Sequence, residues 1–141
     1  MVTSFIMRDG KVLVLRRSKD VGTYPGKWAG ISGYIEPGEA PLERAFIEIR
    51  EETGIKRDRL ILAGTAPQMP IAGTDFIVHP FLFELERGRI RLDWEHTEAK
   101  WVTPSELARL DTVPGLADVL SLVMNAGTGY RAPIGQKITI R

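Results

Sequence analysis

Glu48, Glu51 and Glu52 are spaced i, i+3 and i+4. On a helix that spacing gathers the three carboxylates within an arc of roughly 100°. Glu36, Glu39 and Glu43 lie just upstream, so six carboxylates fall between positions 33 and 55. Like charges one turn apart repel by a few tenths of a kcal/mol, to order of magnitude, on an exposed helix. A hard divalent cation removes that penalty, because Mg²⁺ prefers oxygen ligands. The chemistry open to this cluster is therefore that of a carboxylate-held metal ion. The competing reading is an acidic helix face that only meets water, which is what most glutamate-rich faces are.

The carboxylates need a helix to hold them, and the sequence supplies one over about residues 40–53. Leu42, Ala45, Phe46, Ile49 and Thr53 recur at helical spacing on the opposite side and should face a core. Pro41 suits the first turn, and Gly54 suits a left-handed cap after the last.

Residues 33–55 resemble the signature of the Nudix hydrolases, G-x5-E-x7-R-E-U-x-E-E-x-G-U, where U is a bulky aliphatic. Gly33, Glu39, Glu48, Ile49, Glu51, Glu52, Gly54 and Ile55 match, eight of the nine fixed positions. The ninth, the signature arginine, is Ile47 here. In the family that arginine pairs with signature carboxylates and orients them. Arg44, at i−4 from Glu48, and Arg50 are the candidates to replace it.

The resemblance implies an α/β fold of the Nudix type, an α/β/α sandwich with a mixed central sheet. It implies hydrolysis of the pyrophosphate linkage in a nucleoside diphosphate joined to another moiety. Water attacks one phosphorus, and two phosphate-containing products leave. The metal site it implies consists of Glu48, Glu51, Glu52 and the backbone of Gly33, around Mg²⁺ or, as an alternative, Mn²⁺. Glu48 is ligand or base, and Glu36 and Glu39 either support the ligands from behind or fix the loop. Beyond the signature the family often places an acid before a Trp-containing strand. Glu95 is the first choice for that catalytic role and Glu98 the second. Arg16, Arg17 and Lys27 are the expected substrate contacts, and Trp28 is expected in the core. The segment around Trp94 is also similar to that of certain archaeal Nudix pyrophosphatases.

Two other classes share features with this reading. Isopentenyl diphosphate isomerases have the same fold but use a catalytic cysteine, and this chain has none. A non-catalytic Nudix domain that binds a nucleotide or a partner has Ile47 as its support.

The 141 residues suit one domain over 1–125, followed by a tail or arm over 126–141. An arm pairing with a sheet edge would make a homodimer. Net charge is +1, which gives no reason to expect nucleic acid or an acidic membrane as partner. The absence of cysteine, of a signal-like N-terminus and of a long apolar run points to a cytoplasmic protein, and the resemblance implies a small nucleotide-type diphosphate as its substrate.

Along the chain, Asp9-Gly10 between two apolar runs predicts an opening hairpin. Strands are expected over 29–33, 60–66, 76–85 and 90–92. Pro80 suggests that the third of these lies at an edge or carries a bulge. His79 is expected to be packing rather than a ligand. Thr103-Pro104-Ser105-Glu106 reads as a helix start, with that helix running to about residue 110. A last helix follows Pro114 and ends near Asn125, with Leu116, Val119, Leu120 and Val123 as its apolar stripe.

Overall fold

A computed structural model describes residues 1–126. The chain opens as a hairpin of β1 (Val2–Arg8) and β2 (Lys11–Arg17). Asp9 and Gly10 both have positive φ, 52° and 76°, the turn whose twist matches the flanking strands. Arg8 pairs with Lys11 across it.

The expected strand over 29–33 is two short ones, β3 (Trp28–Ala29) and β4 (Ile31–Gly33). β3 pairs with β2, whereas β4 pairs with β1. The change of partner falls on Gly30, where a Cβ would stand 3.0 Å from the Ser4 carbonyl oxygen. Only glycine lets the two backbones approach so closely there.

The remaining strands are β5 (Leu60–Thr65), β6 (Met69–Pro70), β7 (Ile77–Leu85) and β8 (His96–Val102). The helices are α1 (Pro41–Thr53), α2 (Pro104–Leu107) and α3 (Leu116–Ala126). The sheet runs β3-β2-β1-β7-β5, with β8 beside β2 and β6 beside β7. β1 and β7 are parallel and their other pairings antiparallel, so the sheet is mixed.

Strand alternation sends side chains into two cores. Phe5, Val12, Val14, Val78 and Leu82 pack with Leu107 and with Leu116, Val119, Leu120 and Val123 of α3. Ile6, Leu13, Leu15, Phe81 and Phe83 pack with Ala45 and Ile49 of α1. The result is the α/β/α sandwich, and Trp28 belongs to the first core as expected.

Pro80 departs from expectation in part. β7 is an interior strand, between β1 and β5. The His79 amide donates to the Met1 carbonyl, so position 80 turns its nitrogen to the other side. On that side β5 pairing ends at Phe81 and β6 pairing begins at Val78. The missing N–H of Pro80 therefore falls in the gap between two partners.

No strand forms over 90–92. Ile90 and Leu92 pack against the α1-side core, and the Arg91 amide caps the end of α1 at the Thr53 carbonyl, 2.8 Å away. α2 is shorter than expected, although both halves of its capping box form between Thr103 and Glu106. The expected tail lies outside the described residues, apart from Ala126 at the end of α3. Among the described residues no helix is long and apolar enough to cross a membrane.

Candidate active site

α1 starts with Pro41 at its first turn and stops at Gly54, whose φ of 76° lets its amide return to the Arg50 carbonyl at 2.9 Å. Ala45, Ile49 and Thr53 are fully buried, which fixes the rotation of the helix against the sheet. That rotation makes the three glutamates unequal. Glu51 is exposed, Glu48 is half-buried, and Glu52 is only 4% exposed.

Burial pushes the Glu52 carboxyl well above its ordinary pKa, and the charges of Glu48, Asp93 and Glu95 add to this, while Arg17 opposes it. Glu48 is raised by burial and then by the Glu51 charge, with Arg44 pulling the other way and Glu95 adding a further rise. Carboxylates from α1 and from the loop before β8 thus crowd one region and repel there.

Arg44 is the cation that orders them. Its Nε and Nη2 donate to the two Glu39 oxygens at 2.9 and 2.7 Å, and its Nη1 donates to Glu48 Oε2 at 3.3 Å. The hydrogen bonds from Arg44, followed by one from the Glu36 amide, hold the Glu39 carboxyl below its usual range. The Glu36 amide bond, 2.7 Å, also closes the loop that leads into α1. Arg44 therefore pairs with signature carboxylates as the family arginine does, while Ile47 is 38% exposed.

Gly33 is packed face to face with Glu48. A Cβ built on it would run into Cγ, Cδ and Oε1 of that residue. Gly33→Ala is expected to displace Glu48, to lower kcat/KM by about tenfold and to weaken metal binding by a similar factor. The fold should survive, since the colliding atoms are the end of one flexible side chain. Paired kinetics and metal titration check this.

Glu48, Gly33 and Glu95 line a cavity of about 270 Å³ together with Arg17, Thr23, Tyr24, Ser32 and Tyr34. Its apolar lining, Ile71, Phe76, Val78, Val113, Leu116 and Val119, belongs to the α3-side core. The cavity therefore connects Glu48 of α1 with an apolar wall. Arg17 is braced there by Thr23, Nε to the carbonyl oxygen at 2.8 Å and Nη2 to Oγ1 at 2.9 Å.

The other expected contacts are placed elsewhere. Arg16 bonds to the Gly26 carbonyl and to Glu98, and Lys27 bonds to Asp111 at 2.7 Å; neither lines the cavity. Glu98 sits within β8 rather than in the preceding loop, so Glu95 is the acid of that pair that reaches the cavity. Glu51 and Glu52 do not line the cavity either; Glu51 is exposed and Glu52 is buried.

One element had no role in the sequence reading. The buried ring of His96 meets Asp93 through Nδ1 at 2.8 Å and faces Glu52 Oε1 with Nε2 at 3.5 Å. Nε2 has no hydrogen-bond partner among the described residues. The i, i+3 spacing of Asp93 and His96 was the available signal, but it does not say which way the ring faces.

Among the described residues no three acidic or histidine side chains are grouped tightly enough, as they stand, to enclose a metal ion. The donor set nevertheless fits a hard divalent cation. It is all oxygen, the charges of Glu51 and Glu95 raise Glu48 and those of Glu48, Asp93 and Glu95 raise Glu52, and the missing Cβ at Gly33 lets Glu48 pack against its backbone.

Residues 1–123 match the family described as the NUDIX domain. Nucleoside triphosphatase NudI of Escherichia fergusonii is 30% identical over 135 residues, spanning 86% of this chain and 94% of that one. The MutT protein from Methanosarcina mazei Go1 superposes with a TM-score of 0.69 at 29% identity, over 85% of this chain and 88% of that one. A Nudix hydrolase from Nitrosomonas europaea shares the fold, with a TM-score of 0.71 at 20% identity over 88% and 68% of the two chains. With the signature helix, the mixed sheet and a match across most of its length, this chain belongs to the Nudix family of phosphoanhydride hydrolases.

Proposed function

We propose that the protein is a divalent-metal-dependent pyrophosphohydrolase acting on a nucleoside diphosphate linked to a further group, with nucleoside triphosphates as the first substrates to test. The observation that carries this reading is the cavity itself. Glu48, Glu95, Gly33 and Arg17 meet in it, and it runs on to an apolar wall. A charged region beside an apolar one suits a phosphate chain attached to a base. NudI bears the name nucleoside triphosphatase, which supports the choice of first substrates.

In this reading Glu48, Glu51 and Glu52, with the Gly33 carbonyl, would hold Mg²⁺ or Mn²⁺. Such an ion, when bound, neutralises phosphate oxygens and makes bound water more acidic. Arg17, already braced by Thr23, engages a phosphate of the substrate. Glu95 faces the same space from the loop before β8 and receives the proton of the attacking water. The water oxygen bonds to phosphorus as the bridging P–O bond breaks, and both products keep phosphate. The apolar wall holds the base and excludes solvent from that side.

The test is product release from a panel of nucleoside triphosphates, dinucleoside polyphosphates and sugar nucleotides, with Mg²⁺ and again with EDTA. At least one compound should be cleaved, and EDTA should stop it. Binding of one or more compounds with no cleavage anywhere in the panel would favour a non-catalytic domain. Ile47 was the support for that alternative, and the pairing made by Arg44 weakens it.

A further inference from the structure

The net charge of +1 conceals a separation of charge. Lys56, Arg59, Arg87 and Arg89 line an open groove of about 500 Å³ at the C-terminal end of α1, with Gly54, Ile55 and Gly88 as its remaining lining and no carboxylate among them. Arg91 packs over Gly54, with its Cβ 3.6 Å from where a glycine Cβ would stand. All five cations are exposed. Neighbouring Arg57 is paired with Glu43 at 2.9 Å, and Glu86 adjoins the groove through its amide bond to the Arg59 carbonyl. The groove shares no lining residue with the catalytic cavity.

We propose that this groove binds single-stranded nucleic acid through its phosphodiester backbone. Cations beside a helix C-terminus favour its dipole, but that effect fades beyond the last turn. It accounts for Lys56 more readily than for Arg87 and Arg89, which come from a separate segment some thirty residues downstream. Four of the five cations are arginines, whose planar forks match phosphate oxygens in pairs and stack on unpaired bases. A membrane surface is a poorer fit, because interfacial binding needs apolar insertion. None of the exposed large hydrophobic residues among those described lines the groove. The chain's own residues 127–141 are a poor occupant too, since they carry Arg131, Lys137 and Arg141 and no acid.

The probe is a fluorescein-labelled single-stranded RNA of about 20 nucleotides with a 5′ hydroxyl, followed by anisotropy with the full chain between about 50 and 200 mM salt. With about four phosphates neutralised, at roughly 0.7 per phosphate for single strands, log K should fall against log salt with a slope near −3. The double variant Arg87→Glu/Arg89→Glu should lose at least about tenfold in affinity and flatten the slope by about 1.4. Its hydrolysis of a small nucleotide and its circular dichroism should be unchanged. Absence of binding at the lowest salt, an affinity the double variant leaves intact, or equal binding to anionic vesicles each overturns the proposal. Because the groove and the catalytic cavity are separate, none of these outcomes bears on the hydrolase reading.

Discussion

Glu52→Gln is expected to lower turnover by at least about a thousandfold and, in EDTA at neutral pH, to raise the melting temperature. The loss of turnover follows from the proposed metal site and the gain in stability from burial. Glu52 is buried among the charges of Glu48, Asp93 and Glu95, so its folded-state pKa lies well above the ordinary value of 4.5. Between those two values the folded protein holds a proton that the unfolded chain has lost. Stability therefore falls as pH rises from about 4.5 through the folded pKa, and the full penalty persists above it. Below the ordinary value both states are protonated and the penalty vanishes.

Glutamine is neutral throughout, so the variant escapes this penalty. Its advantage in thermal unfolding should grow as pH rises and disappear in acid. Mg²⁺ should reverse the order, because a ligand that binds only the folded state stabilises it by mass action and the variant would lack one oxygen of the proposed metal site. A variant that melts lower than the parent in EDTA at neutral pH would make Glu52 a structural residue and would remove it from the proposed metal site.

Much of this was legible because it depends on local rules. The period of Ala45, Ile49 and Thr53 fixed the helix and its buried side, and Asp9-Gly10 fixed the first turn. The signature spacing pointed to α1, and the structure brings Glu48 and Glu95 to one cavity. What the sequence lacked was rotation and long-range pairing. Glu48, Glu51 and Glu52 look equivalent in a row of letters, but a small turn of the helix buries one and exposes another. Arg16, Arg17 and Lys27 are three cations in one stretch, and only strand pairing shows that Arg16 is matched to Glu98 and Lys27 to Asp111. Residues 90–92 alternate like a strand, yet they find a core and a helix end instead of a sheet neighbour. His96 faces Glu52 across 44 positions of chain, a pairing that no local pattern signals.

Arg44→Ala is expected to lower kcat/KM by about a hundredfold, with most of the loss in kcat, and adding Ile47→Arg should recover about tenfold of it. Arg44 does not itself line the cavity, so it acts as a positioning residue through Glu39 and Glu48. Its side chain is 13% exposed, and those of Glu39 and Glu48 are 21% and 14% exposed, so solvent screens the pairs only in part. Without the guanidinium, Glu39 loses two hydrogen bonds and Glu48 loses the charge that opposes Glu51 and Glu95. Position 47 lies three residues further along the same helix, close enough for an arginine there to reach the same carboxylates. Ile47→Arg in the parent should change kcat/KM by less than about threefold, because Arg44 already occupies both acids. The double variant then isolates the coupling between the two positions. Equal losses in Arg44→Ala and in Arg44→Ala/Ile47→Arg would show that an arginine at 47 cannot replace the one at 44. A full-activity Arg44→Ala protein would show that the carboxylates need no such support.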